Sequence, residues 1–334
     1  PARARTPAPT LFGSMRKAIL LYNPSSGRRQ GRRLADVGAV LSTLREAGVE
    51  VSAAATRANS GAKEQVSDAI TQGCDTVFAC GGDGTIHDVL QGMVGTSAAL
   101  GIIPLGTANS LAHDLGLPLS PARAAQAALT AIACRVAVGR VEYQDFTAKP
   151  SSRYFTVTAG IGIDGHLFYK LNPLAKRRLG MMAYYVKATR LWLTHKMELF
   201  AVEIPESGQT RRTEVSQLLA VRIRNFGGIL RELAPGASLE RNDFRLALFH
   251  TRSRAAYLCY VLRGLLGTRW SVPGIELLYS SAVACGELES SLTGKSRIFV
   301  EADGELLGTL PAEITIVLDG VNLLVPSAST RSHS

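Results

Sequence analysis

Long apolar runs are scarce in this chain. The longest, around Leu258 to Leu266, is broken by Arg263 and Gly264 and falls short of the roughly 20 residues that a membrane-spanning helix needs, so a soluble or peripheral protein is expected. Pro1 to Ser14 has no apolar stretch that could serve as a secretory leader and reads as a solvated tail. Cysteines are few: five, an odd number, widely spaced, each beside apolar residues and with no CxxC pair. That excludes a disulfide framework and predicts reduced core thiols in a cytoplasmic protein. The six histidines show no metal-ligand spacing. There is no internal repeat, and no low-complexity tract before the tail after Ser327. Acidic residues are outnumbered, 27 Asp and Glu against 37 Lys and Arg, for a net charge of +10. Such a surface attracts polyanions, whether nucleic acid, nucleotide phosphates or an anionic bilayer, and charge alone does not choose among them.

What is present is enough for two cores: 334 residues, 46% of them hydrophobic. The first part alternates. Apolar runs Ala18 to Tyr22, Val49 to Ala53, Thr76 to Ala79 and Leu100 to Ile103 are separated by helically spaced stretches such as Leu34, Val37, Leu41 and Leu44. This rhythm predicts a parallel sheet covered by helices on both faces. Gly48 and Gly73 stand where helix C-terminal glycines belong, and a helix over about Pro121 to Ala133 closes the part. After Arg135 strands dominate: Val136 to Val141, Tyr154 to Ala159, Met197 to Ile204, Val215 to Ile223, Phe244 to Phe249 and Arg297 to Glu301, interrupted by helices at about Leu174 to Thr194 and Arg254 to Leu266. Ile314 to Leu318 and Asn322 to Val325 read as a hairpin through Asp319-Gly320. The expected division is a tail at 1–14, an α/β domain at 15–135, an antiparallel β-sandwich domain at 136–326 with the 314–326 hairpin able to pack back on the first, and a tail at 327–334.

Chemistry concentrates in loops that follow strands. Gly81-Gly82-Asp83-Gly84-Thr85 lies between the strand ending at Cys80 and a helix with Ile86, Val89, Leu90 and Met93 on its inner side. Glycines there admit a polyphosphate close to the backbone, and the helix N-terminus offers N–H groups and a positive dipole end. Asp83 fits an anion site only with a cation between carboxylate and phosphate, as magnesium provides. The bland alternative is a glycine turn with Asp83 as N-cap. Pro104-Leu105-Gly106-Thr107-Ala108-Asn109 follows the next strand, and Tyr22-Asn23-Pro24-Ser25-Ser26-Gly27 follows the first. In open α/β sheets ligands sit at the carboxyl ends of strands, so the three loops converge on one crevice.

These motifs, with Leu115-Gly116-Leu117-Pro118, Gly160 to Gly165, Asn225-Phe226-Gly227-Gly228, Ala234-Pro235 and Asp303-Gly304-Glu305 in order, resemble the diacylglycerol kinase catalytic family, which includes bacterial lipid kinases, sphingosine kinases and ceramide kinases. The likeness runs from about Lys17 to Val325. It implies a nucleotide-binding α/β domain related to phosphofructokinase and NAD kinase, a β-sandwich domain for the lipid, and an active site between them. It further implies that Gly81, Gly82, Asp83, Gly84 and Thr85 bind ATP phosphates with magnesium near Asp83, that Gly106, Thr107, Asn109, Asn23, Pro24, Ser25 and Gly27 line the same pocket, and that Thr56 contacts the nucleotide. Asp303 resembles the general base that takes the lipid hydroxyl proton, with Glu305 organising the site. In sphingosine-kinase relatives the acid of the GGDGT loop has that role, so Asp83 and Asp303 are rivals. Taken alone, Asp303-Gly304 would read as a type I′ hairpin turn. The expected partners are ATP and a membrane lipid at an anionic surface rather than nucleic acid, with a homodimer plausible through exposed sandwich edges.

The match is not complete. His87-Asp88 stands where the family often has Asn-Glu, and Ser110 replaces an acid that lies near the lipid headgroup in bacterial diacylglycerol kinases. Leu239 to Arg245 matches poorly the acidic stretch that supports a structural magnesium in some relatives. Gly160, Gly162 and Gly165 spell GxGxxG, but Tyr184 or Tyr185 stands where a dinucleotide site wants an acid. Leu174 to Lys196 is basic, aromatic and amphipathic, suited to an anionic membrane or equally to a solvated helix lying on the sheet. The nearest competing activity, that of NAD kinases, goes with an Asn-Glu pair this sequence lacks; a catalytically weak membrane-binding relative is the other alternative.

Overall fold

The computed structural model describes residues 15–24, 32–57, 61–163, 197–206, 208–227, 232–268, 270–288 and 298–327. The expected helix at 174–194 lies outside these residues, as do Ser25, Gly27 and Gly228.

Four parallel strands, β1 (Lys17–Tyr22), β2 (Glu50–Ala55), β3 (Thr76–Gly81) and β4 (Ala99–Pro104), pair in the order β2-β1-β3-β4. β3 and β4 are buried at every position, the mark of parallel strands covered on both faces. Side chains alternate between two cores: Val77 and Ala79 pack with helices α2 (Gly61–Thr71), α3 (Asp83–Met93) and α4 (Ser110–Asp114), while Phe78 and Cys80 pack with α1 (Arg33–Glu46) and α5 (Pro121–Leu129). Gly48 and Gly73 end α1 and α2 at φ of 84° and 88°, positions where a side chain would be strained.

The strand-rich part is a sandwich. One layer is β12 (Ile275–Ser280), β11 (Phe244–Phe249), β10 (Gln217–Val221), β7 (Thr158–Gly162) and β14 (Phe299–Ala302). The other is β9 (Gln209–Val215), β8 (Phe200–Glu206), β13 (Ala282–Gly286), β15 (Glu305–Val325), β5 (Ile132–Gln144) and β6 (Pro150–Phe155). Phe155, Phe200, Phe244, Ile161, Val202 and Ile314 fill the space between. One helix, α6 (Arg254–Leu266), covers part of the first layer from outside.

Four expectations are corrected. Tyr154 to Ala159 is not one strand: β6 stops at Phe155 and β7 begins at Thr158, because the intervening N–H groups turn toward Asp303. Val215 to Ile223 likewise divides between β9 and β10. The hairpin at Asp319-Gly320 does not form. Asp319 takes φ of 50° and the pairing with β5 shifts between Val317 and Val321, so the residues make a bulge and β15 continues. Its last residues then pair parallel to β4, Asn322 with Ala99 and Leu323 with Leu100, so the strand-rich part ends inside the α/β sheet. Of the five free cysteines, Cys259 is exposed on α6 rather than buried in a core.

Phe155 and Phe244 stack with ring centroids 5.7 Å apart, both fully buried, so Phe155→Ala is expected to destabilise the protein by about 3–5 kcal/mol. Leu318→Ala, at a side chain 57% exposed, is expected to cost under about 0.5 kcal/mol. Urea unfolding of the two variants side by side checks both values.

Candidate active site

The loops after β1, β3 and β4 meet at the carboxyl edge of the parallel sheet. Asn23 donates its N–H to the Cys80 carbonyl at 3.4 Å, and Thr56 donates to the Tyr22 carbonyl at 2.8 Å. Gly82 is the N-cap of α3, which leaves Asp83 in the first turn rather than at the cap. The glycines are required first by the protein itself. A Cβ on Gly81 would stand 2.2 Å from Thr85 Oγ1, and one on Gly106 would stand 2.4 Å from the Gly82 Cα. The two glycine loops therefore lie backbone against backbone.

Asp83 and Asn109 lock that contact. Asp83 Oδ1 accepts the Ser110 N–H at 2.8 Å and Oδ2 accepts the Asn109 N–H at 3.0 Å, which satisfies the start of α4. Asn109, at φ of 52°, accepts the Gly106 N–H at 2.8 Å and returns its amide to the Gly106 carbonyl at 3.1 Å. Arg33, itself buried, reaches the Leu105 carbonyl from α1. Thr107 stays exposed at the crest of the loop. Thr85 is buried, and among the described residues its hydroxyl has no hydrogen-bond partner.

The strand-rich half closes the crevice from the opposite side. Asp303 and Gly304, at φ of 49° and 82°, form the tight β14–β15 turn. The buried Asp303 carboxylate accepts three N–H groups, from Thr156 at 3.0 Å, Val157 at 2.9 Å and Thr158 at 3.1 Å. Its Oδ2 also lies 3.6 Å from His87 Nδ1 on α3. Glu305 projects from the same turn so near the Gly81–Thr85 loop that a Cβ on Gly84 would stand 2.6 Å from its Oε1. No hydrogen-bond or ion-pair partner holds Glu305 among the described residues.

Four carboxyl groups thus share one crevice. Burial raises the pKa of Asp83, with the Asp303 charge adding to it against the Ser110 N–H. Burial also raises Asp88, opposed by His87 and Arg153. Glu305 is raised first by desolvation, although it keeps an exposed surface, and further by the Asp88 and Asp303 charges, with His87 opposing. A second junction lies nearby. Asp114 Oδ1 accepts the N–H groups of Arg224 at 2.9 Å and Asn225 at 2.8 Å, docking the Asn225-Phe226-Gly227 loop on α4 beside a cavity of about 400 Å³.

The expected residues come together with two qualifications. Ser25 and Gly27 fall outside the described residues, and Asp83 spends both oxygens on backbone N–H groups. His87, Asp88, Arg33 and Asp114 were not foreseen as parts of the crevice and its supports. The sequence marked His87 and Asp88 only as departures from a motif, although their place one turn into α3 was a usable signal. Among the described residues, no three His, Cys, Asp or Glu side chains form a ready metal cage.

Residues 17–141 match the diacylglycerol kinase catalytic domain. The chain is 28% identical over 315 residues to the diacylglycerol kinase of Bacillus subtilis (strain 168), covering 93% of this chain and 97% of that one. It is 25% identical over 313 residues to the diacylglycerol kinase of Staphylococcus carnosus (strain TM300), covering 93% and 95%. A crystal structure of a diacylglycerol kinase from Bacillus anthracis str. Sterne superposes with a TM-score of 0.68 at 19% identity over 95% of this chain and 99% of that one, a likeness of fold.

A raised carboxyl pKa means that the folded state binds its proton more tightly than the unfolded state, so the charged form opposes folding at high pH and the penalty disappears as pH falls through the raised value. Glu305→Gln is therefore expected to raise the melting temperature at pH 8, with the gain shrinking toward zero near pH 4. Melting curves of both proteins across that range check the sign.

Proposed function

We propose, from the premise that this chain is a relative of the bacterial diacylglycerol kinases, that it transfers the γ-phosphoryl group of ATP to the hydroxyl of a diacylglycerol-like or sphingoid-like membrane lipid. One observation carries the reading: a carboxylate turn from the strand-rich half lies directly across from a glycine loop at a helix N-terminus. Phosphoryl transfer asks for that pairing, a cradle for the phosphates on one side and a group to orient the attacking hydroxyl on the other. In this reading the α3 N-terminus with Gly81 to Thr85 receives the phosphates, and the unpartnered Thr85 hydroxyl supplies a buried donor. Gly106, Thr107 and Asn109 form the adjoining wall, and Asn23, Pro24 and Thr56 border the nucleotide.

A divalent cation fits the charge of the crevice, where four carboxylates otherwise repel a polyphosphate. With Asp83 committed to Asn109 and Ser110, magnesium would be held by water and phosphate oxygens beside one or two carboxylates, a mode natural to that ion. When bound, it neutralises charge on the transferring phosphoryl group. Asp303 is the proposed proton acceptor. A carboxylate offers about four acceptor positions, and the three N–H groups fill three, fixing the orientation of the remainder. A second reading assigns the proton to Glu305, because among the described residues its oxygens have no hydrogen-bond partner and desolvation raises its pKa, the direction that suits a base. Asp303 would then act by positioning the turn. NAD kinase-like phosphorylation of a soluble nucleotide is disfavoured by the missing Asn-Glu pair.

Labelled ATP, magnesium and a panel of lipid alcohols in mixed micelles test the activity: one lipid alcohol is expected to be phosphorylated, and turnover of NAD with none of the lipids would overturn the reading. Removing the base, by Asp303→Asn or Glu305→Gln, is expected to lower kcat by about 10²–10⁴-fold and to erase the acidic limb of the pH–rate profile. The other substitution should leave that limb in place. Asp83→Asn is also expected to abolish turnover, and circular dichroism separates lost chemistry from lost folding.

A further inference from the structure

Helix α3 meets the strand-rich half along one side. Positions 84, 87 and 91 follow the i, i+3, i+7 spacing of a single helical stripe. Gly84 leaves room for Glu305 Oε1. His87 is buried and brings Nδ1 to 3.6 Å from Asp303 Oδ2. Gln91, also buried, reaches β6: its Oε1 accepts the Tyr154 N–H at 2.9 Å, and its Nε2 donates to the Tyr154 carbonyl at 2.9 Å and to the His87 carbonyl, one turn back, at 2.8 Å. Both N–H donors and the oxygen of the amide are thereby engaged. Tyr154 itself dictates which way the amide points, since its N–H needs an acceptor and its carbonyl a donor.

Among the described strands β6 pairs with β5 alone, so its other edge would leave those two backbone groups unpaired. The Gln91 side chain stands there in place of a further strand. Its location along the chain gives the contact a second consequence. Tyr154 lies two residues before Thr156, where the three N–H groups that hold Asp303 begin. Gln91 fixes the end of β6, the end of β6 aims those N–H groups, they aim Asp303, and the turn brings Glu305 back over Gly84. The path leaves α3 at Gln91 and returns to it two turns earlier, a closed frame made of one helix and a chain of hydrogen bonds. Tyr154 also packs against the core that holds Val89, Leu90 and Met93 of the same helix. Because the Gly81–Thr85 loop opens α3, this frame sets how far the carboxylate turn stands from that loop.

We propose that Gln91 is a positioning residue for phosphoryl transfer, touching neither nucleotide nor lipid and acting through Tyr154 and Asp303 on the placement of the carboxylate turn. This deepens the lipid-kinase reading and rests on it for the chemistry. Position is a sensitive quantity to control, since a displacement of about 1 Å can cost about 10²-fold in rate.

Gln91→Met keeps the length of the side chain and removes all three hydrogen bonds. Leu44→Ala, at a fully buried position in α1 just before β2, provides a protein destabilised without touching the frame. Hydrogen exchange without ATP or lipid reads the frame alone: relative to the amides of β3, those of Thr156, Val157 and Thr158 are expected to exchange about tenfold or more faster in Gln91→Met, and at the wild-type ratio in Leu44→Ala. With the lipid alcohol that the wild type phosphorylates, and at equal distance below each melting temperature, Gln91→Met is expected to lose about 10–100-fold in kcat while the KM for ATP stays within about twofold. Leu44→Ala should keep its kcat. An unchanged exchange ratio in Gln91→Met overturns the proposal, and so does a loss of kcat no larger than that of Leu44→Ala. If the exchange quickens as expected but the wild type phosphorylates none of the lipids, the frame stands and the lipid-kinase reading fails.

Discussion

One buried anion organises the strand-rich half of this protein and sets the edge it turns toward the first half. Asp303 places a carboxylate where water barely reaches, a cost of several kcal/mol for an isolated charge, and three consecutive backbone N–H groups, from Thr156, Val157 and Thr158, offset that cost. The same bonds have structural consequences well beyond the residue. They draw the backbone after Phe155 out of β6 and so set where β7 begins. They hold the β14–β15 turn in its left-handed geometry, from which β15 runs through the sandwich to end beside β4. They bring Oδ2 within 3.6 Å of His87 on α3. The position of Glu305 over Gly84 is therefore inherited from Asp303, and so is the closure of the crevice.

Buried charges of both signs are handled in the same way here. Arg222 is fully buried, and its guanidinium donates to the carbonyls of Asp243 at 2.6 Å, Arg241 at 2.7 Å, Ala137 at 2.8 Å and Leu239 at 3.3 Å. Desolvation lowers its pKa to about 10, which still leaves it charged at neutral pH. Asp114 also accepts two backbone N–H groups, in its case across the junction, from Arg224 and Asn225 of the strand-rich half. Each ion is met by backbone dipoles instead of a single counter-ion. That arrangement suits a junction, because a planar group with several directional bonds fixes orientation where one ion pair would fix only distance.

Much of this fold could be read from the sequence because its signals are local. The strand runs and helical spacing of the first half, and the helix at Arg254 to Leu266, follow from periodicity that burial on two faces or one imposes directly. What escaped was set by distant partners. The break between Phe155 and Thr158 depends on a carboxylate about 150 residues away. Asp319-Gly320 has a hairpin sequence, yet β5 pairs alongside on both sides of it, and a bulge was the outcome. For the site, the motifs placed Asp83, Gly106, Asn109 and Asp303 in one crevice, but Arg33 and Asp114 announced nothing, because a residue that works by touching backbone leaves no pattern in sequence. Exposed leucines on α6 were invisible for a related reason: periodicity reports an apolar stripe without saying which way it faces.

The glycine loops have structural reasons of their own, apart from any ligand. Small residues at Gly81, Gly82 and Gly106 are demanded by Thr85 and by the two loops touching each other, before any ligand is considered. Asp83 is likewise consumed in capping α4. The loop therefore needs no ligand to hold its shape, and that is the property a phosphate site requires, since N–H groups already oriented toward the anion cost no reorganisation when it arrives. The crevice is nevertheless strongly acidic, with Asp83, Asp88 and Glu305 all pushed toward their protonated forms. In the proposed phosphate-binding reading, rigid donors and surplus negative charge are opposing demands, which a cation accompanying the phosphates would reconcile.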